Sequence, residues 1–213
     1  MKIEQKMLFP GDQRYTLAVP MGDPDQKPVP LILALHFAGH GIPYYGRLLL
    51  EEQVVPALRD LGALIVAPDC TASSWCDPQS EADVLDLLDF VLAHYAVNAE
   101  KILVTGYSMG GNGTWYLAAR HPDRFSAAVV MSGWPPEGVA RINWKVPLYV
   151  IHSQDDEFIP LEPTRFTVNS LLERGAEVEF RILEGITHFD MYRYIEPLKS
   201  VIPWIDSLWQ GRA

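Results

Sequence analysis

The sequence is poor in cysteine and has neither a basic stripe nor a long apolar run. Cys70 and Cys76 are the only two cysteines in 213 residues, which excludes a disulfide-dense scaffold and a zinc-finger set. Their spacing suits a small disulfide loop and two free thiols equally, so it assigns no compartment. The formal net charge of −10, without clustered Lys and Arg, argues against nucleic acid and anionic membranes as partners.

Two further absences bear on location. No apolar run approaches the length of a membrane span, and the first fifteen residues lack the apolar core of a secretory leader. We therefore expect a cytoplasmic protein without a membrane span. Nothing in the composition predicts the oligomeric state.

What is present is a globular composition, with 48% hydrophobic and 21% charged residues. The length suits a single domain over residues 1–213. Apolar runs typical of strands alternate with amphipathic helical patterns. Strands are predicted at 14–20 (an edge strand), 31–37, 63–69, 101–107, 126–133, 146–153 and 177–184. Helices are predicted at 44–62, 80–97 (capped by Ser80), 112–122, 163–176 and 191–209.

This alternation predicts an α/β fold, with a mainly parallel central sheet and helices on both faces. In such sheets the functional site lies at the carboxyl ends of the strands. Side chains that directly follow predicted strands are therefore the first candidates for chemistry.

The segment "TGYSMGGNGTW" (105–115) contains a G-x-S-x-G pattern centred on Ser108. The pentapeptide alone arises by chance in roughly one in fifteen chains of this length. Here it lies between a predicted buried strand and a predicted helix, as a nucleophile elbow requires. The backbone N–H of Met109 would then face a developing oxyanion. A Gly-rich phosphate-binding turn is the alternative, but no Lys follows as in a P-loop.

A serine nucleophile needs a base, and the base needs a carboxylate. Among six histidines, His188 is the best candidate because it lies in a loop after the last predicted strand; His40, in a Gly-rich loop, is a minor one. Asp155, Asp156 and Glu157 follow the fifth apolar strand, and spacing alone does not choose between the two aspartates. The chain order of Ser, then Asp, then His is that of α/β-hydrolases.

With these residues in place, the chain resembles the α/β-hydrolase superfamily over about residues 30–205. It is most similar to small serine esterases of the phospholipase/carboxylesterase, dienelactone-hydrolase-like and prolyl-oligopeptidase-like group. The most specific match is "GYSMGGNGTWYLAARHPDRFSAAVVMSG" (106–133). The resemblance implies an α/β-hydrolase fold and ester hydrolysis through a Ser-His-Asp triad.

The resemblance also assigns residues. The acid motif H-G-x-x-D-x-V-V-P falls on 152–160 and favours Asp156 as the acid, and the G-x-x-H motif falls on 185–188, with His188 as the base. The second oxyanion donor falls on Ala38, in "LHFAGHG". Phe37 stands where Gly is usual, which leaves open whether Ala38 or Phe37 supplies this N–H.

The predicted substrate is a small-molecule ester. Only about a dozen residues separate the strands ending at Gly133 and starting near Val146, so we expect a minimal cap or none, and an open cleft. Phe37, Trp75 and Trp134 are predicted to contact the substrate, although packing in the core explains each Trp equally well. The motifs imply no metal and no cofactor. A thioesterase, a peptidase or a non-catalytic binding module on the same scaffold are the alternatives.

Overall fold

An eight-stranded sheet forms the centre of the computed structural model, which describes residues 1–8, 13–21, 27–39 and 41–210. The strand order is β1-β2-β4-β3-β5-β6-β7-β8. Strand β2 is antiparallel to both β1 and β4, and the remaining neighbours are parallel. The strands are β1 Lys2–Leu8, β2 Gln13–Val19, β3 Val29–Leu35, β4 Leu64–Pro68, β5 Val97–Tyr107, β6 Ala127–Met131, β7 Leu148–Ser153 and β8 Val178–Leu183.

The first strand was not predicted, and the segment predicted as an edge strand is an inner one. Strand β1 pairs along its full length with β2, from Lys2 opposite Val19 to Leu8 opposite Gln13. Its side chains are exposed or half-buried, so its hydrophobic signal is weak. Lys on an exposed edge strand also discourages pairing with other chains.

Helices cover both faces of the sheet, as predicted. They are α1 Gly46–Leu49, α2 Val55–Leu58, α3 Pro78–His94, α4 Met109–Arg120, α5 Leu161–Glu173, α6 Ile195–Lys199 and α7 Ile202–Gln210. Side chains alternate between the two faces along each strand. In β3, Leu31, Leu33 and Leu35 therefore pack in the core beneath α3, α4 and α5, while Ile32 and Ala34 face α1, α2, α6 and α7.

One helical run continues through a proline, and another helix begins with a different cap from the one predicted. A π-helical turn, Leu50–Val54, joins α1 to α2, so Pro56 lies in a continuous helical run that ends at Gly62 with φ +64°. Asp77, not Ser80, caps α3: its side chain accepts a hydrogen bond of 2.9 Å from the Gln79 N–H, and Pro78 takes the first helical position. Ser80 is buried inside the helix.

The connection from β6 to β7 is short, and this confirms the predicted lack of a cap at that position. Residues 132–147 contain only one 3-10 turn, Val139–Arg141. No cap domain therefore enters between these two strands. No helix in the described parts of the chain is both long enough and apolar enough to cross a membrane.

A buried carboxylate ties α3 to α4. Glu81 accepts hydrogen bonds from Tyr116 Oη (2.7 Å), Arg120 Nε (2.7 Å) and His121 Nε2 (2.6 Å). Burial raises the pKa of Glu81, but the bonds from Arg120, Tyr116 and His121 outweigh burial and bring its pKa to about 2. The ionised form is therefore the one that stabilises the fold.

We expect Glu81→Gln to lower the free energy of unfolding at pH 7 by about 1–3 kcal/mol, since the variant loses charge-assisted hydrogen bonds. Because the folded pKa lies below the ordinary value of 4.5, the wild type should lose this advantage as the pH falls from about 4.5 toward 2. Urea unfolding at several pH values measures the difference. Asp86→Asn, on the exposed face of the same helix, is the control. Equal stabilities for both variants would contradict the prediction.

Candidate active site

Ser108 occupies a strained turn between β5 and α4. Its φ of 56° and ψ of −118° are uncommon for a residue with a side chain. The neighbouring glycines permit this turn because a Cβ at Gly110 would lie 1.8 Å from Leu35 O, and one at Gly106 would lie 2.3 Å from Gly110 O. The backbone of α4 thus packs directly on β3, and the glycines provide the clearance that this packing needs.

The structure brings together the three residues predicted to form the triad. Ser108 Oγ lies 2.9 Å from His188 Nε2, and His188 Nδ1 lies 3.0 and 2.9 Å from the two carboxylate oxygens of Asp156. All three are buried, with 6 to 7% of each residue exposed. Because a carboxylate only accepts, Nδ1 carries the proton and leaves Nε2 free to accept from Ser108. This is the orientation required of a general base.

Asp156 is held as an ionised acceptor. Besides His188, it accepts hydrogen bonds from Ser132 Oγ, from Phe158 N (3.0 Å) and from Ile159 N (2.7 Å). Burial raises the pKa of Asp156, but the bonds from His188 and Ser132 and from the Ile159 N–H outweigh it, so its pKa lies below the ordinary value. The carboxylate can therefore stabilise a cationic His188.

The acidic residues on either side of Asp156 bond to backbone groups and not to the imidazole. Asp155 is exposed and accepts a 2.6 Å hydrogen bond from Gly185 N, and Glu157 accepts a 2.9 Å bond from His188 N. Both hold the backbone of the histidine loop, whereas Asp156 alone contacts the imidazole. The structure thus separates the two aspartates that spacing left equivalent.

Several residues around this site were missed by the sequence analysis. Tyr107 donates a hydrogen bond from its hydroxyl to His188 O, and Tyr194 donates to Ser132 Oγ over 3.3 Å. Ser132, like Ser108, has a positive φ, of 47°. The only sequence signal for Ser132 was its position directly after β6, in the "MSG" that ends a predicted strand.

Two clefts meet beside Ser108. One, the apolar cleft, has a volume of about 360 Å³ and is lined by Phe37, Ala38, Tyr107, Ser108, Phe158, His188, Phe189 and Met191. The other, the second cleft, has a volume of about 430 Å³ and includes Arg14, Ala38, Asp69, Thr71, Ser73 and Met109. Ala38 lines both clefts, and Met109 follows Ser108 directly. The two predicted oxyanion donors therefore both line the second cleft, next to Ser108.

The three residues predicted to contact the substrate lie in different places. Phe37 lines the apolar cleft. Trp75 does not, because it is 1% exposed and packs in the core, where Nε1 donates a 2.8 Å hydrogen bond to His36 O. Trp134 is 45% exposed but is not among the residues that line the apolar cleft. The aromatic walls come instead from Phe158 and Phe189.

His152, His36 and both cysteines have structural surroundings. His152 Nε2 donates to Ile159 O over 2.8 Å, and His36 bonds to the backbone of Phe37. His40, the minor candidate for the base, lies outside the described residues. Cys70 and Cys76, whose pairing the sequence left open, are both free thiols.

A family match covers the part of the chain that carries this site. Residues 71–193, more than half of the chain, match the dienelactone hydrolase family. The chain belongs to this family. The matched stretch includes Ser108, Asp156 and His188, so the hydrogen-bonded chain of these three residues lies within the family's own region.

Three proteins that are similar to this dienelactone hydrolase family member are named as esterases. Feruloyl esterase C of Emericella nidulans is 27% identical over 162 residues, which cover 70% of this chain and 57% of the relative. A crystal structure of a thermostable esterase superposes with a TM-score of 0.79 at 26% identity, covering 97% of this chain and 62% of that one. A ferulic acid esterase structure gives a TM-score of 0.77 at 19% identity, covering 97% and 98%. These structures confirm the predicted α/β-hydrolase fold, and the chain spans less than two thirds of the first two relatives.

Proposed function

We propose that this protein is a serine carboxylesterase that acts through an acyl-enzyme intermediate. The observation that carries the proposal is the hydrogen-bonded chain from Ser108 Oγ through His188 to Asp156, at the open carboxyl edge of the sheet. Family membership and the esterase names of the relatives support ester bonds as the target.

In the proposed reaction, Ser108 Oγ attacks the ester carbonyl carbon while His188 Nε2 takes its proton. The N–H groups of Met109 and Ala38 stabilise the oxyanion of the tetrahedral intermediate. His188 then donates the proton to the leaving alcohol oxygen, and the C–O bond breaks to give the acyl-enzyme. His188 then deprotonates a water molecule that attacks the acyl carbon, and the bond from this carbon to Ser108 Oγ breaks as His188 returns the proton to Oγ. Asp156 stabilises the cationic imidazole in both halves.

A fluorophosphonate tests this proposal. We expect the folded protein to form a covalent adduct at Ser108, located by mass spectrometry of peptides, and to hydrolyse p-nitrophenyl acetate. A folded but unreactive protein would instead indicate the binding-module alternative. Faster turnover of a matched thioester or peptide than of the ester would select the thioesterase or the peptidase.

The walls of the apolar cleft suggest the kind of ester. The rings of Phe158 and Phe189 each lie beside His188, with ring centroids 5.0 and 5.6 Å from the imidazole. They are 66% and 76% exposed, so they present open aromatic faces at the cleft. We propose esters with a planar aromatic group as substrates, and the names of the feruloyl and ferulic acid esterase relatives support this choice.

We expect Phe158→Ala to lower kcat/KM for an aromatic ester such as methyl ferulate by about 3- to 10-fold, the value of one aromatic contact. For an acetyl ester of a small alcohol, the change should stay below about twofold, since little of that substrate reaches the ring. Phe166→Ala is the matched control, because Phe166 is similarly exposed (68%) on α5 but does not line this cleft. Equal losses for both esters would argue against an aromatic subsite.

A further inference from the structure

His36 directly follows β3, and both nitrogens of its ring are hydrogen-bonded. Nδ1 lies 2.7 Å from Phe37 O, and Nε2 lies 3.0 Å from Cys70 N. Because the Cys70 N–H can only donate, Nε2 is the acceptor and the proton of the neutral ring is on Nδ1, which donates to Phe37 O. Burial lowers the pKa of His36, in keeping with a neutral imidazole.

The carbonyl that His36 holds belongs to the same peptide group as the Ala38 N–H. A trans peptide is planar, so its C=O and N–H bonds point in opposite directions. A donor that fixes Phe37 O therefore also fixes the direction of the Ala38 N–H. Ala38 lines the cleft that contains Ser108 and the cleft that contains Met109, which is where the second oxyanion donor is required.

The surroundings of His36 keep its own ring and backbone in place. Trp75 Nε1 donates a 2.8 Å hydrogen bond to His36 O, and the Tyr45 ring packs edge-on against His36 and Phe37, with centroids 5.0 and 5.4 Å apart. Trp75, which was predicted to contact the substrate, thus holds the backbone of His36. Aromatic packing of this kind limits the rotamers of the ring it covers.

We propose that His36 is a positioning residue of the oxyanion hole, which orients the Ala38 N–H by hydrogen-bonding the opposite end of the same peptide. This inference rests on the proposed esterase function. It also selects Ala38 over Phe37 as the second donor, because the Phe37 N–H belongs to the preceding peptide. A bulky Phe37 is then compatible with a working oxyanion hole, because the peptide that follows Phe37 is held by the side chain of His36.

Two substitutions separate positioning from packing. In His36→Asn the amide nitrogen can occupy the place of Nδ1 and donate to Phe37 O. In His36→Gln the longer amide reaches the place of Nε2, so it can accept from Cys70 N but not serve Phe37 O. We expect His36→Gln to lower kcat and kcat/KM for p-nitrophenyl acetate by about 10- to 100-fold with KM unchanged, the signature of a lost transition-state interaction. His36→Asn should stay within about threefold of the wild type.

Melting temperatures establish that each variant is folded at the assay temperature. Equal losses in both variants, a greater loss in His36→Asn, or no loss in His36→Gln would overturn the inference. Should both variants unfold, Trp75→Phe provides the second test, because it removes the bond to His36 O while keeping an aromatic ring at the site. A fall in kcat without a change in KM would support positioning, and unchanged kinetics would overturn it.

Failure of this inference is distinguishable from failure of the esterase proposal. The wild type is assayed first: without ester turnover and without fluorophosphonate labelling of Ser108, the proposed function is wrong. With an active wild type, the contrast between the Asn and Gln variants tests His36 alone.

Discussion

Replacing Ser108 with alanine is expected to lower kcat for p-nitrophenyl acetate by about 10⁵- to 10⁶-fold, the loss measured when a serine hydrolase loses its nucleophile. The reason is that no other hydroxyl is hydrogen-bonded to His188 Nε2 in the described residues. The residual rate should come from the oxyanion donors and from substrate binding alone.

The same substitution should leave the fold intact. Alanine adopts the backbone conformation of Ser108 with the same strain, and the variant loses one hydrogen bond, so the free energy of unfolding should change by about 1 kcal/mol or less. Ser170→Ala, on α5 and away from the clefts, is the control for any nonspecific effect of a serine replacement. Steady-state kinetics and urea unfolding on the same preparations measure kcat and the free energy of unfolding. Retention of more than a few per cent of wild-type turnover would show that Ser108 is not the nucleophile.

The sequence was sufficient to predict the parts of the site that depend on which elements and residues follow one another in the chain. The turn at Ser108 was predictable because an apolar strand, two close glycines and a helix are adjacent in the sequence. His188 and the pair Asp155 and Asp156 were predictable because residues that follow parallel strands gather at one edge of the sheet, and the choice of Asp156 came from the family resemblance. The register confirms this geometry, since Tyr107 lies opposite Met131, and Met131 opposite Ile151.

The sequence was insufficient where a role depends on contacts between distant segments. Ser132 and Tyr194 meet across 62 residues, and nothing near either residue indicates that pairing. The places of Trp75 and Phe158 also depend on distant segments. Trp75, in a loop, packs into the core because Gly113 leaves room, as a Cβ there would lie 2.4 Å from Trp75 Cβ. Phe158 belongs to a loop without periodicity, so no pattern predicted which way it faces.

The second large effect on kcat is expected from replacing Asp156, whereas its neighbour Asp155 should matter little. We expect Asp156→Asn to lower kcat by about 10³- to 10⁴-fold, as in other triads, because an amide cannot stabilise the cationic imidazole and favours the wrong tautomer. Asp155→Asn should cost less than about tenfold, since its exposed side chain holds only Gly185 N.

The pH dependence gives this pair of variants an independent readout. The pKa of Asp156 is held below its ordinary value, so the carboxylate should remain ionised at neutral pH and lose its charge only as the pH falls below about 4. The favourable contribution of Asp156 to folding is therefore present above its unfolded pKa and lost on further acidification. The wild type and Asp155→Asn should share this acid-linked loss of stability, and Asp156→Asn should lack it. Urea unfolding between pH 3 and pH 7, with kcat measured at pH 7, tests both parts. A large fall in kcat for Asp155→Asn with little change for Asp156→Asn would reassign the acid.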